Sequence, residues 1–346
     1  MEKHVIVSDQ LTPMVIIWMI AAMVITWVGC VLLVTRWRQR VIDLPNARSA
    51  HSLATPRGGG MAIALAMAFY TCTLYWTGAL TLAQTVVLLS ALPVAVVGFL
   101  DDISSLPVRY RLPVHILIAS LSLWVLGPVP EAFFSGWLML PAIIQGAILV
   151  VALVWLLNLY NFMDGIDGLA AMQCLFVSLS GAFFLKDTMP GLMSICLGLA
   201  ACQLCFLYWN WTPARLFMGD AGSTFCGYFL GVIGLLSHYA MGLSVWVWVL
   251  LMGSFIADTT FTLVRRLLAG HSITEGHATH AYQQLSRKSD SHIKVALLVM
   301  AVNIIWLFPI AWLAVIQPEN GVFLAFSGIV PLMILAAWLG AGRTNN

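Results

Sequence analysis

Charge is scarce in this chain. Only 9% of its 346 residues are Asp, Glu, Lys or Arg, against about 25% in a soluble domain. A water-facing surface cannot be built from so few ionised groups, so a soluble globular fold is excluded. The 61% hydrophobic content and the mean hydropathy of +0.94 indicate an all-α polytopic membrane protein instead. Basic blocks are missing too. The net charge is only +2, and no run of Lys and Arg is large enough to line a phosphate-backbone groove, which excludes nucleic acid as a partner. Cysteine is present without a pattern: all seven (Cys30, Cys72, Cys174, Cys196, Cys202, Cys205, Cys226) lie in apolar runs. Cys202 and Cys205 have C-x-x-C spacing but no second pair and no histidine cluster, so the thiols read as small packing residues. No loop is long enough for a soluble domain, and no internal repeat of the transporter kind is visible. No cleavable signal peptide is expected, because the first apolar run is too long for one. The expectation is a single integral membrane domain over residues 1–346.

What the chain has is long apolar runs. At about 20 residues per crossing, about eleven transmembrane helices are expected, near 12–36, 58–77, 82–100, 112–127, 139–158, 166–185, 190–208, 222–239, 243–267, 293–316 and 321–341. Lys and Arg gather on the cytoplasmic side of such proteins. With the N-terminus periplasmic and the C-terminus cytoplasmic, 14 of the 16 basic residues fall on the inner side, leaving only Lys3 and Lys186 outside. Moving any span would spoil that split. The acids follow the same side: Asp101, Asp102, Asp164, Asp167, Asp220, Glu275 and Asp290 all fall in inner loops. Asp258 is the exception, seven residues before Arg265 and so about 10 Å inside its span.

The polar residues come in five groups. Asn158 to Gly168 reads N-L-Y-N-F-M-D-G-I-D-G, with Asn158, Asn161, Asp164 and Asp167 at every third position. Ionisable groups at membrane depth are costly and mark function. On a straight helix this spacing drifts by about 60° per step, so Gly165 and Gly168 are expected to unwind the exit and turn all four groups to one point. The first inner loop carries Arg48, His51 and Arg57 before Gly58, Gly59 and Gly60 at a helix start, suited to close backbone approach or to an anion; a flexible positive-inside turn is the plain alternative. The second opens G-F-L-D-D, 98–102, and ends with Arg109 and Arg111. Adjacent acids suit a hard cation or one acid poised as a base; a solvated charge pair is the alternative. In the fourth, Asp220 lies between Gly219 and Gly222, with Phe217 nearby to stack on a base or simply to pack. The fifth runs E-G-H-A-T-H-A-Y-Q-Q-L from Glu275, with His277 and His280 at i, i+3 spacing. Two histidines and one acid fall short of a zinc set and suit a pyrophosphate or a sugar, or are ordinary interfacial histidines.

Four of these stretches, R-x-x-H…T-P-R-x-G-G, G-F-L-D-D, N-x-x-N-x-x-D-G-I-D-G and F-M-G-D-A-G-S, stand in the order found in the polyprenyl-phosphate N-acetylhexosamine-1-phosphate transferases. From Arg48 to Gln284 the chain resembles that family, which includes the enzymes initiating O-antigen, enterobacterial common antigen and wall teichoic acid. The resemblance implies transfer of a sugar-1-phosphate from a UDP-N-acetylhexosamine to undecaprenyl phosphate with release of UMP. It implies Mg²⁺, or Mn²⁺ in its place, with Asp220 matching the metal ligand and Asn161 the amide beside it. Asp101 and Asp102 match the acidic pair, one of them the base for the lipid phosphate. Asp164 and Asp167 match acids near the uridine and the catalytic centre, and Asn210 and Phe217 match uridine-pocket positions. Arg48, His51, Arg57 and Arg111 match basic positions, and Asn158, His277 and His280 complete the substrate-binding set. The last loop departs from the common D-R-x-H-x-H-H pattern. That points to the O-antigen-initiating branch, with UDP-GlcNAc or a 6-deoxy relative such as UDP-FucNAc or UDP-QuiNAc as donor, and leaves open which histidine carries the family role.

The expected setting is the bacterial inner membrane, with the active site at its cytoplasmic face, in contact with the bilayer; a homodimer is compatible with it. The rival class is a cation- or proton-coupled transporter or lipid flippase. Such a protein keeps polar groups near the midplane and on both faces, whereas here the motif groups cluster on the inner side and only Asp258 lies inside a span.

Overall fold

The computed structural model describes residues 7–43, 54–130, 140–272 and 277–343, with the side chains of the first helix described from Pro13 onward. Helices account for almost all of it. They are α1 (Val7–Thr35), α2 (Gly59–Trp76), α3 (Leu82–Leu89), α4 (Ala91–Ser104), α5 (Val108–Leu126), α6 (Ala142–Phe162), α7 (Leu169–Leu185) and α8 (Pro190–Asn210). The second half contains α9 (Gly219–Tyr239), α10 (Val245–Leu251), α11 (Gly253–Leu268), α12 (Ala281–Ser289), α13 (His292–Val302), α14 (Phe308–Ile316) and α15 (Gly321–Leu339). Two short strands, β1 (Ile42–Asp43) and β2 (Thr55–Pro56), pair antiparallel beside the start of α2.

All the expected apolar runs are helical, but they are not equal. Among the described residues, eight helices are long and apolar enough to cross a membrane, and nine if the bent pair α10–α11 is one span. The remaining two of the eleven expected runs are α5, which opens with Arg109 and Arg111, and α7, whose 17 residues fall short of the usual length. The chain is a multi-pass helical membrane protein.

Helix α9 is the central post. Its most apolar 18 residues are 89% buried, against 17% for the outermost spans near the two ends of the chain. Small residues make that position attainable, because without a hydrophobic drive between helices close backbone packing holds a membrane bundle together. A Cβ at Gly227 would lie 2.5 Å from the Leu156 carbonyl oxygen on α6, and one at Gly60 would lie 1.8 Å from the Gly222 Cα. Thus α2, α6 and α9 meet backbone to backbone.

The break between α10 and α11 bends the chain by 75°. A break frees a carbonyl, and in hydrocarbon each free backbone group must find a partner. Gln173 on α7 supplies it: its Nε2 donates to the Leu251 carbonyl at 3.0 Å, and its Oε1 accepts from Asn303 Nδ2 at 2.5 Å. Asn303 begins a π-helical turn, 303–307, between α13 and α14. The bend in one helix and the bulge in another are therefore joined by one glutamine.

Candidate active site

Chain ends from several helices meet in a cavity of about 200 Å³ at one end of the bundle. Its walls carry Asp43, Arg57, Asp102, Asn161, Asp164, Asp167, Asn210, Phe217, Asp220, Gln283 and His292. Five of these are acids, facing one arginine.

Local structure explains the arrival of each group. Asp102, at the end of α4, is buried, and both its oxygens receive backbone N–H groups from the first turn of α9, Asp220 at 3.0 Å and Ala221 at 3.1 Å. A carboxylate at a helix N-terminus satisfies orphan donors and complements the helix dipole. Gly219 makes this approach possible: its φ is +72°, and a Cβ there would lie 2.5 Å from Asp102 Oδ2. Arg57 follows β2 and reaches Asp102 twice, with Nε 3.1 Å from the backbone carbonyl and 3.6 Å from Oδ1. The amides of Gly59 and Gly60 are not free for an anion, contrary to one reading of that glycine run. They donate to the Phe217 and Met218 carbonyls, each at 3.0 Å. The run serves close backbone approach.

Asp101, one residue earlier on α4, meets Arg111. The same Arg111 Nη1 lies 2.8 Å from Asp220 Oδ2, so one guanidinium joins the two carboxylates at the cavity's edge. Asn161 Nδ2 lies 3.3 Å from that Asp220 oxygen, and Ser223 donates to Asn161 Oδ1 at 2.9 Å. Asp164 lines the cavity without a hydrogen-bond or ion-pair partner for its carboxylate among the described residues. Burial, then the charges of Asp220, Asp102 and Asp167, push its pKa well above the ordinary carboxylate value.

The turn after α6 is pinned from outside. Asp167 Oδ2 accepts the Ala214 N–H at 3.1 Å, and Asn210 Oδ1 accepts the Gly168 N–H at 2.9 Å. Tyr282 on α12 donates its hydroxyl to the Phe162 carbonyl at 2.9 Å, over a residue that must lack a Cβ: at Gly165 one would lie 2.2 Å from that hydroxyl. Asn210 lines the cavity, but its amide is spent on Gly168 and, at 3.1 Å, on the Leu216 carbonyl.

Three expected residues are not brought here. Asn158 does not join Asn161, Asp164 and Asp167: it remains on regular helix and donates to the Val154 carbonyl one turn back, at 2.7 Å. Its helix unwinds only after Phe162, too late to turn it. His280 is 1% exposed, 3.4 Å from Asp258, with its ring stacked on Phe162 and Tyr282. His277 bonds Thr279 at 3.1 Å and packs on His280. Neither histidine lines the cavity; Asp258 of α11 caps the start of α12 and holds that segment beside it. Arg48, His51 and Glu275 lie outside the described residues. Conversely, Asp43, Gln283 and His292 line the cavity without having been anticipated. Asp43 is brought by the β1–β2 pairing; His292 had one signal, its position at the start of an apolar span on the polar side.

The donor set bears on Mg²⁺. No three His, Cys, Asp or Glu side chains among the described residues are grouped to cage a metal ion. Mg²⁺ rarely uses a protein cage; it takes one or two carboxylates and completes its shell with waters and substrate phosphates. Asp220, with the Asn161 amide beside it in a cavity rich in acid oxygens, fits that mode.

Residues 84–238 match the model of glycosyl transferase family 4. The chain is 30% identical over 317 residues to the probable undecaprenyl-phosphate N-acetylglucosaminyl 1-phosphate transferase of Bacillus subtilis, covering 86% of this chain and 84% of that relative. It is 26% identical over 249 residues to the undecaprenyl-phosphate alpha-N-acetylglucosaminyl 1-phosphate transferase of Thermotoga maritima, covering 71% and 73%. With the decaprenyl-phosphate N-acetylglucosaminephosphotransferase of Mycolicibacterium smegmatis it shares 29% over 295 residues, covering 75% and 71%. The similarity reaches far beyond the motifs, across most of both chains, and the chain belongs to the polyprenyl-phosphate N-acetylhexosamine-1-phosphate transferases.

Proposed function

We propose that the chain transfers an N-acetylhexosamine-1-phosphate from a UDP-sugar to undecaprenyl phosphate, releasing UMP, as the first step of O-antigen or a related surface polysaccharide. The observation that carries this reading is the acid-lined cavity, to which separate loops bring Arg57, Asp102, Asn161, Asp164, Asp167 and Asp220. A pyrophosphate with its cation is the kind of ligand such a surplus of carboxylates accepts, since the cation neutralises both.

An oxygen of the lipid phosphate attacks the β-phosphorus of the UDP-sugar. The bond from that phosphorus to the bridging oxygen breaks, and its electron pair leaves with UMP. Asp220, with Asn161, is the candidate holder of Mg²⁺, which when bound neutralises the pyrophosphate and the charge developing on the leaving group. Either of the adjacent acids is a candidate base for a protonated lipid phosphate: Asp102 lines the cavity but caps α9, and Asp101 is ion-paired to Arg111. Asp167, Asn210 and Phe217 form the nucleotide side, and Arg57 and Arg111 supply positive charge for phosphate. The distribution of Lys and Arg supports a cytoplasmic-facing cavity in the inner membrane, with the N-terminus outside.

A transporter using the inner acids as an ion site is disfavoured by their one-sided placement, to which Asp258, the one acid inside a span, is the exception. Its carboxylate accepts the Ala281 and Tyr282 N–H groups, both at 2.9 Å, and the Thr262 hydroxyl at 3.1 Å. That is a helix cap, not an ion path. A panel of UDP-N-acetylhexosamines, offered with undecaprenyl phosphate and Mg²⁺ to purified protein, should give UMP release with one preferred sugar. If no sugar yields UMP, the reading fails.

A further inference from the structure

The last polar segment reaches the cavity through residues other than its two motif histidines. His280 is enclosed, and His277 lies beside it. His292, at the first position of α13, lines the cavity, with 17% of its side chain exposed. Its surroundings fix the chemistry of its ring. Nδ1 lies 3.3 Å from the Asp167 backbone nitrogen, which donates to it, and 3.4 Å from Asp167 Oδ2. An N–H donor needs a lone pair on Nδ1. Asp167 Oδ2 also accepts the Ala214 N–H at 3.1 Å. The proton of a neutral imidazole then resides on Nε2, because one ring nitrogen donates when the other accepts.

We propose that His292 is a substrate-binding residue for the nucleotide half of the donor: Nδ1 holds the Asp167 turn, and Nε2–H donates to an oxygen acceptor of the UDP moiety. This rests on the transferase reading above. Three facts converge on the nucleotide side. His292 is bonded to Asp167, Asp167 is bonded to the loop carrying Asn210 and Phe217, and the carboxylates joined by Arg111 are engaged elsewhere in the cavity. The site has acceptors in surplus among its acids, so an N–H donor is what a uracil carbonyl or phosphate oxygen needs there. Gln283 lines the same wall from α12, so the α12–α13 pair presents a carboxamide and an imidazole where the motif suggested two imidazoles.

The two functions of the ring can be separated, because the Asn carboxamide places its polar atoms near Nδ1 and the Gln carboxamide places its own near Nε2. The full chain in detergent is titrated with UMP by calorimetry, and KM and kcat for the UDP-sugar are measured by UMP release. His292→Asn keeps an acceptor for the Asp167 amide and loses the outer donor; it should weaken UMP binding and raise KM by about tenfold, the effect of one buried hydrogen bond, with a smaller change in kcat. His292→Gln keeps the donor and should stay within about threefold of wild type. Wild-type affinity in the Asn variant overturns the proposal and leaves His292 a positioning residue for Asp167. A Gln variant about tenfold weaker than wild type also overturns it, since loss of ring packing alone would give that result. Each variant decides by itself, so failure of one to fold leaves the other. A wild-type protein that neither binds UMP nor releases it from any UDP-sugar sinks the transferase reading instead.

Discussion

Asp258 and Asp164 are both acids drawn inward, in opposite surroundings. Asp258 has two backbone N–H groups, a hydroxyl and a histidine around its carboxylate, and it joins the end of the membrane bundle to α12. Asp164 has no such partner among the described residues and faces other acids across a cavity. Burying a charge is costly unless it is paired and hydrogen-bonded. The first acid has met that requirement within the chain and holds the fold. The second meets it only when something binds. Asp102 shows that the distinction is not one of location: it lines the cavity, yet its oxygens are spent on α9, as those of Asp258 are on α12.

The largest effect that could break this comparison is on turnover. Asp220→Asn should lower UMP release by roughly 100- to 1000-fold, the scale of losing a principal electrostatic group in an active site, while melting close to wild type. Full activity in that variant would sink the metal assignment. Next in size is the capping acid Asp258. Asp258→Asn should cost on the order of 1.5–3 kcal/mol of stability, the range for hydrogen bonds to a charged group. For Asp258→Asn the protein that remains folded should keep its turnover within about tenfold; thermal unfolding in detergent and the assay on the same sample separate the two effects. An Asp258 variant that melts normally but is inactive would move that residue into the chemistry.

The smallest effect sharpens the contrast. Because the folded pKa of Asp164 lies above its unfolded value, the native state binds the extra proton between the two, and stability falls as pH rises through that window. Asp164→Asn should therefore melt higher than wild type above about pH 4, the ordinary carboxylate pKa, with the gap growing toward the raised value. Mg²⁺ should narrow the gap, because a cation at Asp220 offsets the like charges that disfavour the Asp164 carboxylate. A variant that melts lower than wild type throughout would mean that Asp164 holds the fold after all.

Much of this site is legible before folding, and the failures are instructive. Apolar length and the scarcity of charge identify the helices, because the bilayer imposes both. The Gly58–Gly60 run is legible as a point of close approach, and Gly60 is so used against Gly222. Asn158 is not legible, because every-third spacing reports candidates for one face but not where the helix unwinds. His277 and His280 mislead because a motif names residue types, whereas their direction is set by α12 docking on Asp258 and Tyr282 on the Phe162 carbonyl. Asp43 is invisible in sequence because a two-residue strand pairing carries it in.

The sequence by itself determined a multi-pass helical membrane protein, its family, and the loops that carry its polar chemistry. Those follow from what is local: hydropathy over twenty residues, and short runs in which glycine, amide and acid sit at fixed offsets. Only the tertiary structure decided which acids are caps and which face the cavity, and that His292, not His277 or His280, reaches it. A hydrogen-bond partner can lie a hundred residues away, and whether a buried carboxylate has one depends on how helices pack, not on its neighbours in the chain.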